Sequence, residues 1–266
     1  MNSFKIVNRQ IIIHREGLPF RTMRAVFLTD LHNVMHGPGQ NFLISAIHAA
    51  SPSFILCGGD MVVGKKGHSP DAALVLMKQL TCEYPVYHAL GNHEFRLREY
   101  PEQYGSLYEE YIDPIREAGV VLLDNCWSDL TIADIPFRIG GLSIEKQYYK
   151  RGVNLELFSS DIERLMGKRD KEKISILLAH NPKYSNAYLD YGCELTLCGH
   201  AHGGIIRLGE HRGLISPDLS VFSSQCYGEF QKGDSRLIIG AGLGEHTIPV
   251  RLHNPRELLV LDFIFS

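Results

Sequence analysis

Apolar positions along the chain come in short unbroken blocks, each closed by Gly, Asp, Asn or His. The blocks cover residues 24–29, 54–57, 86–90, 120–123, 137–139, 174–179 and 194–198, with two more at 237–239 and 257–265. A block of this kind predicts a strand buried on both faces, because a half-buried strand would alternate with period two. Two stretches show the helical period instead. Residues 41–50 set Phe42, Ile44, Ala46, Ile47 and Ala49 at mostly helical spacing. Residues 71–80 do the same with Leu74, Val75, Met77 and Leu80, behind a candidate Ser69 cap and Pro70. The first hundred residues therefore predict β-α-β-α-β, which favours parallel pairing and right-handed crossovers. Later strands, with shorter connections and Gly-rich turns, predict a more mixed arrangement. The expected fold class is α/β, a single domain over residues 1–266 with a layered sheet core.

Composition narrows this picture mainly by exclusion. With 44% hydrophobic and 21% charged residues, the chain is neither disordered, collagenous nor a coiled coil. Lys and Arg number 27 against 30 Asp and Glu, a net charge of −3. No nucleic-acid partner is expected from that balance. Six cysteines at 57, 82, 126, 193, 198 and 226 form no CxxC pair, the pattern of free thiols in a reducing compartment. No apolar stretch approaches the ~18 residues of a membrane span, and residues 11–13 are too short for a signal segment. The expected location is cytoplasmic.

Candidate chemistry sits where the strand blocks end. They run into Thr29-Asp30-Leu31-His32-Asn33, Gly58-Gly59-Asp60, Gly91-Asn92-His93-Glu94, Ala179-His180-Asn181 and Gly199-His200-Ala201-His202. The carboxyl ends of parallel strands line one crevice in open α/β sheets. Asp30, His32, Asp60, Asn92, His93, His180, His200 and His202 would therefore meet. Asp30 and His32, like His200 and His202, are two apart, so an extended backbone would aim both side chains of each pair the same way. Glycines before Asp60, Asn92 and His200 permit turns that a Cβ would block. Imidazole, carboxylate and carboxamide donors without thiolate suit Mn, Fe or Zn. Eight donors are too many for one tetrahedral ion and enough for two ions sharing a carboxylate.

In this order the pieces DxH, GD, GNHE, a lone His and GHxH, spanning residues 30–202, resemble the calcineurin-like metallophosphoesterase superfamily. The tail from Gly240 to Leu252, followed by Asn254-Pro255-Arg256-Glu257, is similar to its bacterial phosphodiesterase branch, the YkuE- and YaeI-like proteins. The resemblance implies a layered α/β/β/α sandwich with mixed sheets. It places Asp30, His32 and His202 on a first metal, Asn92, His180 and His200 on a second, and Asp60 between them. His93 would contact the phosphate or protonate the leaving oxygen. The implied activity is hydrolysis of a small-molecule phosphodiester by a metal-bridging hydroxide, with two divalent ions, Mn or Fe first and Zn third. Alternatives are a nucleotide-sugar-lipid pyrophosphatase or a phosphomonoesterase on the same site, and last a metal-free protein-binding scaffold. One departure is Val63, where many members carry an acid. The arginine expected soon after the bridging Asp of protein serine/threonine phosphatases is absent.

Three further residues are candidates for phosphate oxygens: the Asn33 amide and the Arg207 and Arg251 guanidiniums. His48 and His88, in a helix and a strand, are expected to be structural. Tyr148 and Tyr149 are expected to pack or anchor a loop. The Gly240–Gly244 glycines make a weak dinucleotide motif, since no helix follows them and Pro249 opposes one.

Overall fold

The computed structural model describes residues 3–149, 155–204, 207, 213–215, 221–223, 226–245 and 251–266; part of the glycine-rich tail, 246–250, lies outside them. The elements in chain order are β1 (Phe4–Ile13), β2 (Arg21–Leu28), α1 (Asn41–Ala50), β3 (Phe54–Cys57), α2 (Asp71–Thr81), β4 (Val86–Ala89), α3 (Asn92–Glu99), α4 (Pro101–Tyr104), α5 (Leu107–Glu117) and β5 (Val121–Leu123). A second series follows: β6 (Cys126–Ile132), β7 (Ile135–Leu142), α6 (Ser159–Met166), β8 (Ile174–Ala179), α7 (Ser185–Tyr191) and β9 (Leu195–Cys198). The chain closes with β10 (Gly213–Ile215), β11 (Val221–Ser223), β12 (Gly228–Lys232), β13 (Ser235–Ile239) and β14 (Arg256–Phe265).

Two six-stranded sheets form, ordered β1-β14-β2-β3-β4-β5 and β12-β13-β9-β8-β7-β6. Strands β2 to β5 run parallel, as do β7, β8, β9 and β13. Antiparallel pairs join β14 to β2, β6 to β7 and β12 to β13. Mixed pairing is thus present in both sheets, not only in the later one.

The unbroken apolar blocks have their physical reason in the layering. Along β2, Val26 and Leu28 pack with α1, α2 and α5, while Ala25 and Phe27 pack against the other sheet. The inter-sheet layer is built on Phe27, Phe54, Phe137, Ile139, Ile176 and Phe263. A third cluster covers the outer face of the second sheet with α6 and α7, through Ile162, Met166, Leu177 and Tyr188. The arrangement is the α/β/β/α sandwich. Ser69 does accept the Asp71 N–H ahead of α2, at 3.2 Å.

Candidate metal centre

The residues after β2, β3, β4, β8 and β9 converge at one end of the two sheets. The ladder between β2 and β3 continues past both strands. The amides of Asp30, His32 and Asn33 donate to the carbonyls of Gly59, Asp60 and Met61 at 3.0, 3.1 and 3.1 Å. The backbone there is not extended. Asp30, His32, Asn33, Asp60, His200 and His202 all have φ between 47° and 63°, the left-handed region. Asp, Asn and His enter it more readily than most residues, at roughly 1–3 kcal/mol of strain each. An extended backbone therefore does not aim the Asp30/His32 and His200/His202 pairs, contrary to the expectation from their spacing. The side chains meet because each loop curls back over its strand end, and packing around the loops holds the strained conformers.

The ligand atoms form overlapping groups. Asp30, His32 and His202 present donors within 4.8 Å of one another, and so do Asp60, His180 and His200; His32, Asp60 and His93 make a third set between them. His32 Nε2 lies 3.1 Å from His202 Nε2, which is 3.4 Å from Asp30 Oδ1. His180 Nε2 lies 3.1 Å from Asp60 Oδ2, which is 3.9 Å from His32 Nε2. Donors bound at about 2.1 Å to one ion stand about 3.0–3.4 Å apart in octahedral or tetrahedral geometry. The spacing suits metal ions.

Two details test that fit. The Nδ1–H of His180 donates to the Gly58 carbonyl at 2.8 Å, which turns the lone pair of Nε2 toward Asp60. That Nε2 is buried and makes no hydrogen bond, and neither does Oδ1 of Asn92, between two residues that touch Asp60. A nitrogen lone pair set beside a carboxylate in the interior, as at His180, calls for a cation. The two carboxylates favour a positive charge at that nitrogen, proton or metal. Burial depresses the His180 pKa, but Asp60 and Asp30 override it and push it up to about 10. Burial raises Asp60, yet His180, His93 and His32 hold it well below the usual carboxylate range. Asp30 is pushed up to about 6, chiefly by burial and then by the Asp60 charge, against the pull of His180.

Glu94 belongs to the GNHE piece, and the sequence assigns it no work. It is wholly buried, and its carboxylate accepts the N–H groups of Asp60 (2.8 Å), Met61 (2.7 Å), Val62 (3.3 Å) and Gly91 (2.9 Å). It fastens the loop carrying Asp60 to the start of α3. Glycine makes the approach possible: a Cβ on Gly91 would stand 2.2 Å from Asp60 Oδ1. One on Gly199 would stand 2.4 Å from Asp30 Oδ2. Thr29 Oγ1 donates to Asp30 Oδ2 at 2.9 Å, and the His200 amide donates to the same carboxylate at 3.0 Å. The Tyr149 ring, expected as a loop anchor, stands edge-on to His200 with centroids 5.8 Å apart.

His93 occupies the first turn of α3. The Gly64 N–H donates to its Nδ1 at 2.7 Å, so a neutral His93 carries its proton on Nε2, 4.0 Å from Asp60 Oδ2. Burial holds its pKa below the usual value, opposed by Asp60 and reinforced by Arg96 and Lys65.

The two arginines expected on phosphate are engaged elsewhere. Arg251 donates to the carbonyls of Ala241 (2.9 Å) and Gly244 (2.7 Å), and its Nη2 lies 3.0 Å from Nδ1 of His202. Arg207 donates to Asn254 Oδ1 and stacks on Tyr227 at 3.5 Å, while Asn254 Nδ2 holds the His202 carbonyl at 2.6 Å. Both guanidiniums brace the His202 loop from behind. Asn33 does stay with the site loop, its Oδ1 buried without a hydrogen-bond partner. His88 is structural, buried between the Tyr111 hydroxyl and the Ala89 carbonyl, each at 2.8 Å.

A two-sheet sandwich with this donor set at its strand ends defines a class, and a family comparison agrees with it. The chain belongs to the calcineurin-like phosphoesterase family, whose profile matches residues 23–204. An "Uncharacterized metallophosphoesterase" of Helicobacter pylori is 25% identical over 251 residues, 92% of this chain and 60% of that relative. The chain thus spans about 60% of the length of that relative. "Phosphodiesterase YaeI" of Escherichia coli is 23% identical over 209 residues, covering 77% of this chain and 69% of that one. The crystal structure of TT1561 from Thermus thermophilus superposes with a TM-score of 0.53 at 9% identity, over 85% of this chain and 92% of that one. That likeness concerns the fold. Among the described residues, no helix is long and apolar enough to cross a membrane.

Proposed function

We propose that the chain, acting as one catalytic domain, is a metal-dependent hydrolase of a small-molecule phosphodiester. The observation that carries this reading is the sharing of Asp60 between donor groups from five strand ends. Asp30, His32 and His202 would hold one divalent ion, and Asn92, His180 and His200 a second, with Asp60 common to both. Mn and Fe fit the mixed imidazole, carboxylate and carboxamide donors. When bound, two such ions supply Lewis-acid polarisation of the phosphate and acidify the attacking water.

The chain's own groups do the rest. Glu94 fixes the Asp60 loop, and Gly58 fixes the His180 tautomer that leaves Nε2 as a donor to metal. His93 offers an Nε2–H toward the substrate side, because Gly64 occupies Nδ1. A diester is favoured over a monoester by the relative named a phosphodiesterase.

The test is metal content with turnover. Protein stripped with EDTA and dialysed against Mn is expected to bind close to two ions per chain and to cleave bis(p-nitrophenyl) phosphate faster than p-nitrophenyl phosphate. Asp60→Asn should lower occupancy at both positions. Well under one ion per chain would refute the dinuclear centre, and a clear preference for the monoester would refute the diester assignment.

A further inference from the structure

A single turn, Lys146–Tyr149, lies between β7 and α6 and is tethered on two sides of the centre. Lys146 Nζ donates to the Tyr100 hydroxyl and stands 4.2 Å over that ring, which ties the turn to the junction of α3 and α4. The Tyr184 O–H donates to the Tyr148 carbonyl at 2.8 Å, and the two rings meet edge to face at 5.4 Å, which ties it to the segment after β8. Tyr149 ends the turn. Its ring stands edge-on to His200, whose own ring stands edge-on to His180 at 5.2 Å. The ring is thus held, but its hydroxyl is not. Among the described residues that hydroxyl makes no hydrogen bond, and Tyr149 is only half-buried. Burial and then the charge of Asp60 push the phenol above its usual range. Coulomb interactions weaken with distance, so the prominence of Asp60 sets the hydroxyl on the side of the shared carboxylate. A ring that served only to anchor the loop would need no oxygen there.

We propose that the Tyr149 hydroxyl binds the reacting phosphate, donating a hydrogen bond to a non-bridging oxygen on the His200 side of the centre. This rests on the hydrolase reading above and adds a substrate-contacting residue to it. A phenol ordinarily keeps its proton up to about pH 10, so it offers a donor without bringing a charge. Its hydrogen bond to an anionic oxygen is roughly twice as strong as one between neutral groups. Negative charge on the non-bridging oxygens grows as the attacking oxygen bonds to phosphorus. The contact therefore stabilises the transition state more than the bound diester, and its loss falls mainly on kcat. No proton is transferred and no bond to Tyr149 forms.

The experiment compares wild type with Tyr149→Phe, which keeps the ring beside His200 and removes one oxygen. Mn content after dialysis and the urea midpoint are expected to be unchanged. In Mn-loaded protein, kcat for bis(p-nitrophenyl) phosphate should fall about 10–100-fold, with a smaller change in KM. Methylphosphonate, whose second negative charge resembles that of the transition state, should bind about tenfold more weakly by calorimetry. Tyr148→Phe is the control and should leave both quantities at their wild-type values. Wild-type kcat and methylphosphonate affinity in Tyr149→Phe would reduce the residue to a loop anchor and overturn the proposal. Loss of Mn in that variant, which would make the phenol a metal ligand, or an equal effect in Tyr148→Phe overturns it too. If Mn-loaded wild type fails to hydrolyse the nitrophenyl diester, the hydrolase reading falls instead, and the calorimetry still decides whether the hydroxyl meets a phosphoryl oxygen.

Discussion

Replacing Gly91 by alanine should open the joint between the Asp60 loop and α3. Gly91 has φ −89° and ψ −178°, which any residue adopts, so backbone strain contributes nothing. Losing glycine from the helix cap costs about 0.5–1 kcal/mol. The larger effect is collision. The new Cβ would lie 2.3 Å from the Asp60 backbone nitrogen and 2.8 Å from Asp60 Cγ, so the loop must retreat by about 1 Å to reach van der Waals contact. Glu94 holds that gap closed through the amides of Asp60 and Met61 at 2.8 and 2.7 Å, and a retreat of this size breaks both bonds. Hydrogen bonds to a carboxylate contribute about 1.5–3 kcal/mol each, so the expected loss is about 3–6 kcal/mol. Urea denaturation in EDTA at pH 8 is the assay. Burial and then the Asp60 charge push the Glu94 carboxyl up to about 7, so pH 8 keeps it ionised. With an m-value of about 3 kcal/mol/M, the midpoint should fall by about 1–2 M. Gly67→Ala is the control, since its Cβ would meet nothing within 4 Å, although its φ of +82° carries local strain. A midpoint shift in Gly91→Ala no larger than the control, with Mn binding intact, would refute the reasoning.

Two further outcomes follow from the same geometry. Arg251→Ala should weaken Mn binding by about 10–100-fold, the usual effect of removing a group that orients a ligand, with little change in KM for a nitrophenyl diester; a raised KM with unaltered metal affinity would return Arg251 to the substrate. His88 is wholly buried, and burial lowers its pKa to about 4 from 6.5. The unfolded chain therefore binds the extra proton between these values, so stability is complete above pH 6.5 and falls by about 3 kcal/mol as the pH drops to 4. His88→Gln should flatten that part of the urea-midpoint profile in EDTA, and an identical profile would show that His88 is not its source.

Strands are legible in the sequence wherever both faces are buried, because such strands need apolar residues at every position. The blocks at 54–57 and 174–179 coincide with β3 and β8. Strand β1 gives no such block, for the opposite reason. It lies at a sheet edge with half its side chains exposed, so Lys5, Asn8, Arg9 and Gln10 interrupt the apolar pattern. Its partner is β14, with Phe4 opposite Arg256, a pairing that no local signal announces. Helix α3 is hidden because only Glu94 and Leu97 of its eight residues are buried. Its first turn looks extended in sequence, although the Asn92–His93–Arg96 spacing is there to mark a shared face.

What the sequence determined by itself is the chemistry of the centre and the order of its pieces. Carboxylate, imidazole and carboxamide at the ends of apolar blocks follow from composition and adjacency, and they survive any modest change in loop path. What only the tertiary structure decided is direction. Six donor-loop residues take left-handed backbone conformations that sequence patterns of period two or 3.6 cannot express. Gly64 and Gly58 choose which nitrogen of His93 and of His180 faces inward, through contacts between residues 29 and 122 positions apart. Three arginines of the same type receive different tasks, Arg207 and Arg251 behind the His202 loop and Arg96 beside His93. A guanidinium's role depends on which acceptors lie within about 3 Å of it, and that distance is fixed only when distant segments pack together.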